Sequence, residues 1–209
     1  MLKYKKMISC ALATMLAMQG GGLVFAGENS VQLNNYKSKL VANLNNGVDV
    51  TKKEFSKYDK YVKVIDNKYV LELPSNIKIP NETLKKVQAQ IDCSNRLISE
   101  NNLTINPQTK SAIKLGKCTD GEGVNSVEFY WNYMRVNISV SNWRILLTMG
   151  AGAIEGFLME LLSISGPVAV GIAGAIGAGL SSIIGEYVKD GVWFDLNHFF
   201  VFLDKWGYQ

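Results

Sequence analysis

Residues 145–185 read ILLTMGAGAIEGFLMELLSISGPVAVGIAGAIGAGLSSIIG, a run with no basic residue and only two acids, Glu155 and Glu160. Ile145 to Ile164 and Gly166 to Gly185 are each about 20 residues, enough for a helix about 30 Å long, the thickness of a bilayer's hydrocarbon core. Ser165-Gly166-Pro167 separates them, with a serine suited to a helix cap and a proline suited to a first turn. The pattern predicts a hydrophobic helical hairpin from Ile145 to Ile184, turning at Pro167. Neither half has a broad polar face, so a membrane hairpin fits it better than two amphipathic surface helices.

Ten of the 19 glycines fall between Gly150 and Gly191. Gly152 and Gly156 are spaced GxxxG, and Gly171, Gly174, Gly177 and Gly179, with Ala169, Ala173, Ala175 and Ala178, give the second helix a small-residue surface. Small residues let helix backbones approach closely where the hydrophobic effect no longer drives association. The same residues also suit a tightly packed soluble hairpin. A carboxylate at mid-helix costs roughly 3 kcal/mol to insert, whereas each large apolar residue returns roughly 0.5 kcal/mol. Insertion is therefore expected to be conditional, with Glu155 and Glu160 protonated, paired, or turned toward an aqueous lumen.

Aromatic, β-prone runs flank the hairpin. Val127 to Val140 alternates, with Tyr130, Met134, Val136, Ile138 and Val140 on one face and Arg135, Asn137 and Ser139 on the other, and Val192 to Leu203 is a second β-rich, aromatic run. Each reads as one strand, and the two are expected to pair antiparallel. Upstream, Tyr61–Ile65 and Tyr69–Leu73 around Asp66-Asn67-Lys68 read as a β-hairpin, and Val31–Leu44 as a helix. A second helix opens at Pro80-Asn81, with Asn81 as N-cap and Leu84, Val87, Ile91 and Ile98 inward. The polar, turn-rich stretch from Asn101 to Gly123 reads as a boundary and processing region.

The first residues read as an export address. Lys3, Lys5 and Lys6 precede an apolar core from Met7 to Met18, and Val24-Phe25-Ala26 places cleavage between Ala26 and Gly27. An uncleaved anchor is the alternative, with a run short for a membrane span. Without this segment the formal balance is 22 − 3 = 19 basic against 18 acidic residues. No Lys/Arg stripe marks a nucleic-acid surface. In an exported chain Cys93 and Cys118 form a candidate disulfide, closing a loop of about 25 residues worth about 3 kcal/mol, with two free thiols as the alternative. The single histidine, His198, has no nucleophile elbow or metal spacing beside it, and the glycine pairs complete no nucleotide loop. No catalytic, cofactor-binding or metal-ligating residue is assigned, and an enzyme is not expected.

With the Val24-Phe25-Ala26 signal ending, the Phe129-Tyr130-Trp131 strand, the 145–185 hairpin and the tail from Gly191-Val192-Trp193-Phe194 to Trp206-Gly207-Tyr208-Gln209, the chain resembles secreted bacteriocin precursors of Gram-positive bacteria. The likeness covers the overall plan and mostly the C-terminal half. It implies that the part from about Asn106 onward is the active antibacterial agent. The slightly acidic balance of that half departs from the cationic norm for such proteins.

The expectation is an α+β chain. A signal peptide at 1–26 precedes a small N-terminal helix and β-hairpin module at 27–105. A C-terminal membrane-active module follows at 106–209, in which two antiparallel strands bracket the Gly/Ala-rich hydrophobic helical hairpin. The expected function is that of a secreted, extracellular antibacterial protein that permeabilises the membrane of target bacteria after proteolytic release of its C-terminal half. The expected partners are that membrane, a receptor or immunity protein, and further copies in a homo-oligomer on the membrane. The alternative is a soluble secreted or envelope-associated binding protein with a glycine-rich helical core.

Overall fold

A computed structural model describes residues 55–117, 121–149, 151–177, 184 and 188–209. The signal segment with its Ala26–Gly27 cleavage point, the 31–44 helix and Cys118 lie outside the described residues. The described chain is α+β, with a two-stranded and a five-stranded sheet, both antiparallel.

Strands β1 (Val62–Ile65) and β2 (Lys68–Leu71) form the expected hairpin, with Ile65 opposite Lys68. The two-residue loop between them, Asp66-Asn67, has φ of 49° and 59°. That left-handed pair matches strand twist, and Asp and Asn tolerate it better than other residues with a β-carbon. Helix α1 (Asn81–Glu100) buries Val87, Ile91 and Ile98, as the spacing predicts, while Leu84 is only half-buried. Its N-cap is Pro80, because the first helical bond runs from the Leu84 N–H to the Pro80 carbonyl at 2.9 Å, and Asn81 is already helical. The Asn95 side chain bonds both the N–H and the carbonyl of Tyr69, at 2.8 and 2.9 Å, fastening α1 to β2.

The five-stranded sheet is a meander in the order β3-β4-β5-β6-β7. Strand β3 (Ala112–Leu115) lies inside the stretch read as turn-rich linker. The Val127–Val140 run is not one strand. It folds back as β4 (Ser126–Phe129) and β5 (Met134–Ile138) around a turn closed by the Tyr130 N–H to the Tyr133 carbonyl, and Val140 already begins a helix. Likewise Val192–Leu203 divides into β6 (Val192–Leu196) and β7 (Phe202–Tyr208). Here Asn197 makes the turn, its Oδ1 accepting from the N–H groups of Phe199 and Val201 at 2.9 and 3.0 Å. A short amide side chain that imitates backbone overrides apolar alternation at such a point. The expected pairing of the two runs is present as β5 against β6, from Met134↔Leu196 to Ile138↔Val192.

The segment between β5 and β6 carries α2 (Val140–Thr148), α3 (Ala151–Leu162) and α4 (Gly166–Ala175). The expected helix over 145–164 is therefore broken. Met149 has an extended ψ of 141°, and the Thr148 hydroxyl donates to the Ile145 carbonyl at 2.8 Å, a local bond that competes with helix continuation. Twelve residues of α3 and ten of α4 reach about 18 and 15 Å, half a bilayer core. Among the described residues no helix is long and apolar enough to cross a membrane. The turn from α3 to α4 is as read, with Ser165 at the N-cap and Pro167 in the first turn of α4. Asn101, at the C-cap of α1, bonds the Ser165 N–H at 2.8 Å.

Residues 55–105 and the remainder share one apolar core, from Phe55, Val87 and Leu97 to Phe129, Trp143 and Leu158. Tyr69 crosses the expected domain boundary, its hydroxyl within 2.8 and 3.1 Å of the carbonyls of Lys110 and Phe129.

Candidate functional site

Helices α3 and α4 lie against each other and over the core face of the large sheet. Ile154, Leu158, Leu161 and Leu162 of α3 are buried with Val168, Ala169, Ile172 and Ala175 of α4. In the same core Trp143 of α2, fully buried, meets Phe194 of β6 with ring centroids 6.2 Å apart. Ile184 is buried, and Pro167 and Gly177 are half-buried.

The glycines are used differently from the expectation. Gly156 and Gly174 have open space where a β-carbon would stand, so the Gly152/Gly156 spacing makes no close helix seam at Gly156. The close approach is at Gly171, where a β-carbon would lie 2.2 Å from Cγ of Phe200. The Phe200 ring thus rests on the bare backbone of α4. Phe200 itself has a φ of 61°, a left-handed conformation rare for a bulky residue.

The two acids differ as well. Glu160 is exposed and paired with Lys117 (Nζ to Oε1, 2.5 Å), which holds its carboxyl below the usual range. Glu155 is half-buried. Ile145 and Met159 present apolar surface outward, each 42% exposed.

Both feet of the helical segment are clasped. The Gln209 side-chain amide donates to the carbonyls of Ile138 and Val192 at 3.1 and 3.0 Å, bridging the end of β5 and the start of β6. The Arg144 guanidinium reaches the Val188 carbonyl at 2.8 Å. Replacing Gln209 with Ala is expected to destabilise the fold by about 1–3 kcal/mol, since several hydrogen bonds are lost together. A chemical-denaturation midpoint unchanged within error would contradict this.

The outer face of the large sheet carries a polar network that the sequence reading did not single out. Arg135 grips the buried carboxylate of Asp195 with Nε–Oδ1 at 2.8 Å and Nη2–Oδ2 at 3.2 Å, and lies 4.0 Å over the Trp193 ring. Beside it Glu128 accepts from Asn137 at 3.0 Å and from the Tyr130 hydroxyl at 2.8 Å. The available signal was Asp195 standing inside an apolar run. His198 places its Nε2 2.7 Å from the Tyr130 carbonyl. Cys93 is a buried free thiol, 3.4 Å from the His198 carbonyl. Among the described residues no cluster of three His, Cys, Asp or Glu is placed to hold a metal ion.

Compared with protein-family models, curated proteins and solved structures, the chain shows no match.

Proposed function

We propose that the chain is a secreted antibacterial protein whose 145–185 segment leaves the body of the protein and permeabilises the membrane of target bacteria. The supporting observation is helix α4. Gly166 to Ala175 carries no charged and no hydrogen-bonding side chain anywhere around its circumference, yet Gly174 faces outward into open space. A surface helix of a soluble protein keeps a polar face, whereas a helix apolar all round belongs to a deep core or to lipid.

Lipid entry requires a rearrangement. Residues 140–162, if Met149 became helical, would form one helix about 34 Å long, enough to span. Helical content is thus expected to rise on vesicle binding, which circular dichroism reads directly. The membrane-active module is 106–209, with β5 and β6 bracketing the helical segment, and residues 27–105 hold the precursor soluble. A cut within 101–123 leaves α1 on the shared core, so release requires that packing to be undone. A receptor, an immunity protein and a homo-oligomer on the membrane are the partners this reading carries.

Dye-loaded vesicles exposed to the full chain test it. The wild type is expected to release dye, and Glu155→Gln/Glu160→Gln to release it at least about tenfold faster at neutral pH, because each mid-helix charge costs roughly 3 kcal/mol. Intact vesicles and unharmed sensitive bacteria would leave a soluble secreted or envelope-associated binding protein, with the helices as an ordinary covering layer.

A further inference from the structure

We infer that the β6–β7 turn is an acid-opened latch on α4, with the buried imidazole of His198 as sensor and Phe200, seated on Gly171, as catch. The inference deepens the proposed membrane reading and rests on it for its purpose, though its geometry stands apart. His198 and Phe200 share one tight turn, closed by the Asn197 N–H to the Val201 carbonyl and the Phe200 N–H to the Asn197 carbonyl, each 2.9 Å. Movement of the imidazole therefore moves the ring two residues on. Phe200 holds α4 where a side chain on Gly171 is excluded.

The imidazole is fully buried. Its Nε2 faces the Tyr130 carbonyl, which also accepts from Ser94 Oγ at 2.9 Å. A carbonyl only accepts, so Nε2 carries the proton of the neutral ring and Nδ1 is left bare. Nδ1 has no hydrogen-bond partner among the described residues, so a second proton brings a full charge into a fully buried ring.

Helix α1 brings the Cys93 thiol to the His198 backbone carbonyl and the Arg96 guanidinium within electrostatic reach of the ring. The Arg96 cation opposes a second positive charge, and its own partner Glu100 stands 3.8 Å from it. The 130–133 turn contributes the backbone of Tyr130 and Trp131, which favours the proton, and the imidazole's own turn contributes the uncharged Asn197. Burial outweighs these and holds His198 at about 4, against 6.5 for an exposed imidazole. The closed turn refuses a proton that the open turn accepts. Its stability is complete above pH 6.5 and erodes as pH falls through 4, the opening equilibrium rising about 150-fold by pH 4 and approaching about 300-fold below it.

The test uses the full chain. Amide exchange in α4, corrected for the intrinsic chemical rate, is expected to show opening about 60-fold more frequent at pH 4.5 than at pH 7. His198→Gln keeps a donor for the Tyr130 carbonyl and cannot titrate, so its α4 amides are expected to lack that rise. The chain has one histidine, so the wild-type ring signal titrates unambiguously and needs no variant. A midpoint below about 5 with concurrent α4 opening supports the latch, and one near the solvent value of about 6.5 overturns it. Exchange indifferent to acid, or equally accelerated in His198→Gln, overturns it too. Acid-accelerated exchange without vesicle leakage keeps the latch and removes the membrane reading.

Discussion

Replacing Arg135 with Ala is expected to destabilise the protein by about 3–5 kcal/mol, because it strips the cation from a carboxylate that is itself fully buried. The Asp195 side chain has no solvent exposure, whereas Arg135 keeps 28% of its own. An ion in that position has given up its hydration, and the two guanidinium bonds, with the Trp193 ring beneath the cation, are part of what replaces it. With a total stability of about 5–15 kcal/mol for a domain, a loss of that size leaves a substantial unfolded fraction near body temperature.

Three variants separate charge from packing. Arg135→Lys keeps a point charge and loses the forked geometry and the stacking, so it falls between wild type and Ala. Arg135→Met/Asp195→Leu removes both charges and is expected to recover most of the loss. Urea midpoints at constant slope measure all three. A loss below about 1 kcal/mol for Arg135→Ala, the scale of an exposed pair, would show that water screens this one.

The pair also shows where sequence reading stops. Positions 135 and 195 are 60 residues apart, and nothing local to either names the other. What was legible is what short-range rules dictate. Asp66-Asn67 announces its turn, Val87, Ile91 and Ile98 recur at helical spacing, and Ser165-Gly166-Pro167 starts a helix. The β5–β6 pairing was legible because both runs are β-prone and aromatic and bracket one segment. The breaks inside those runs were not, because Trp131, Phe199 and Phe200 continue the apolar character through turns that Asn197 and the Tyr130–Tyr133 bond define. The helical segment was read as two membrane-length pieces because apolarity carries no mark of the bond by which Thr148 interrupts it. The glycine stripe was visible as composition, but which glycine is indispensable depends on Phe200 at Gly171.

Gly116, read only as part of a turn, is expected to give the second large effect: Gly116→Ala should cost about 2–4 kcal/mol and loosen the end of α3. A β-carbon there would stand 2.3 Å from the Leu161 carbonyl oxygen, 3.0 Å from Leu162 Cα and 3.1 Å from the Asn125 carbonyl oxygen. All three are backbone atoms, so no rotamer change relieves the contact and the 116–117 segment must move off α3. That movement breaks the 2.8 Å bond from the Lys117 N–H to the Leu161 carbonyl, one of the helix-end acceptors with no partner inside the helix. Lys117→Ala is the comparison, since it removes only the solvent-screened, exposed pair with Glu160 and keeps the backbone bond. Thermal unfolding is expected to rank the two variants in that order. Vesicle leakage at neutral pH then bears on function, because a loosened α3 should enter lipid sooner. Faster dye release from Gly116→Ala than from Lys117→Ala supports a hairpin held back by its own protein. Equal or absent release from a variant shown to be destabilised would mean that freeing α3 leads nowhere near a membrane, and the helices would then be a core layer and nothing more.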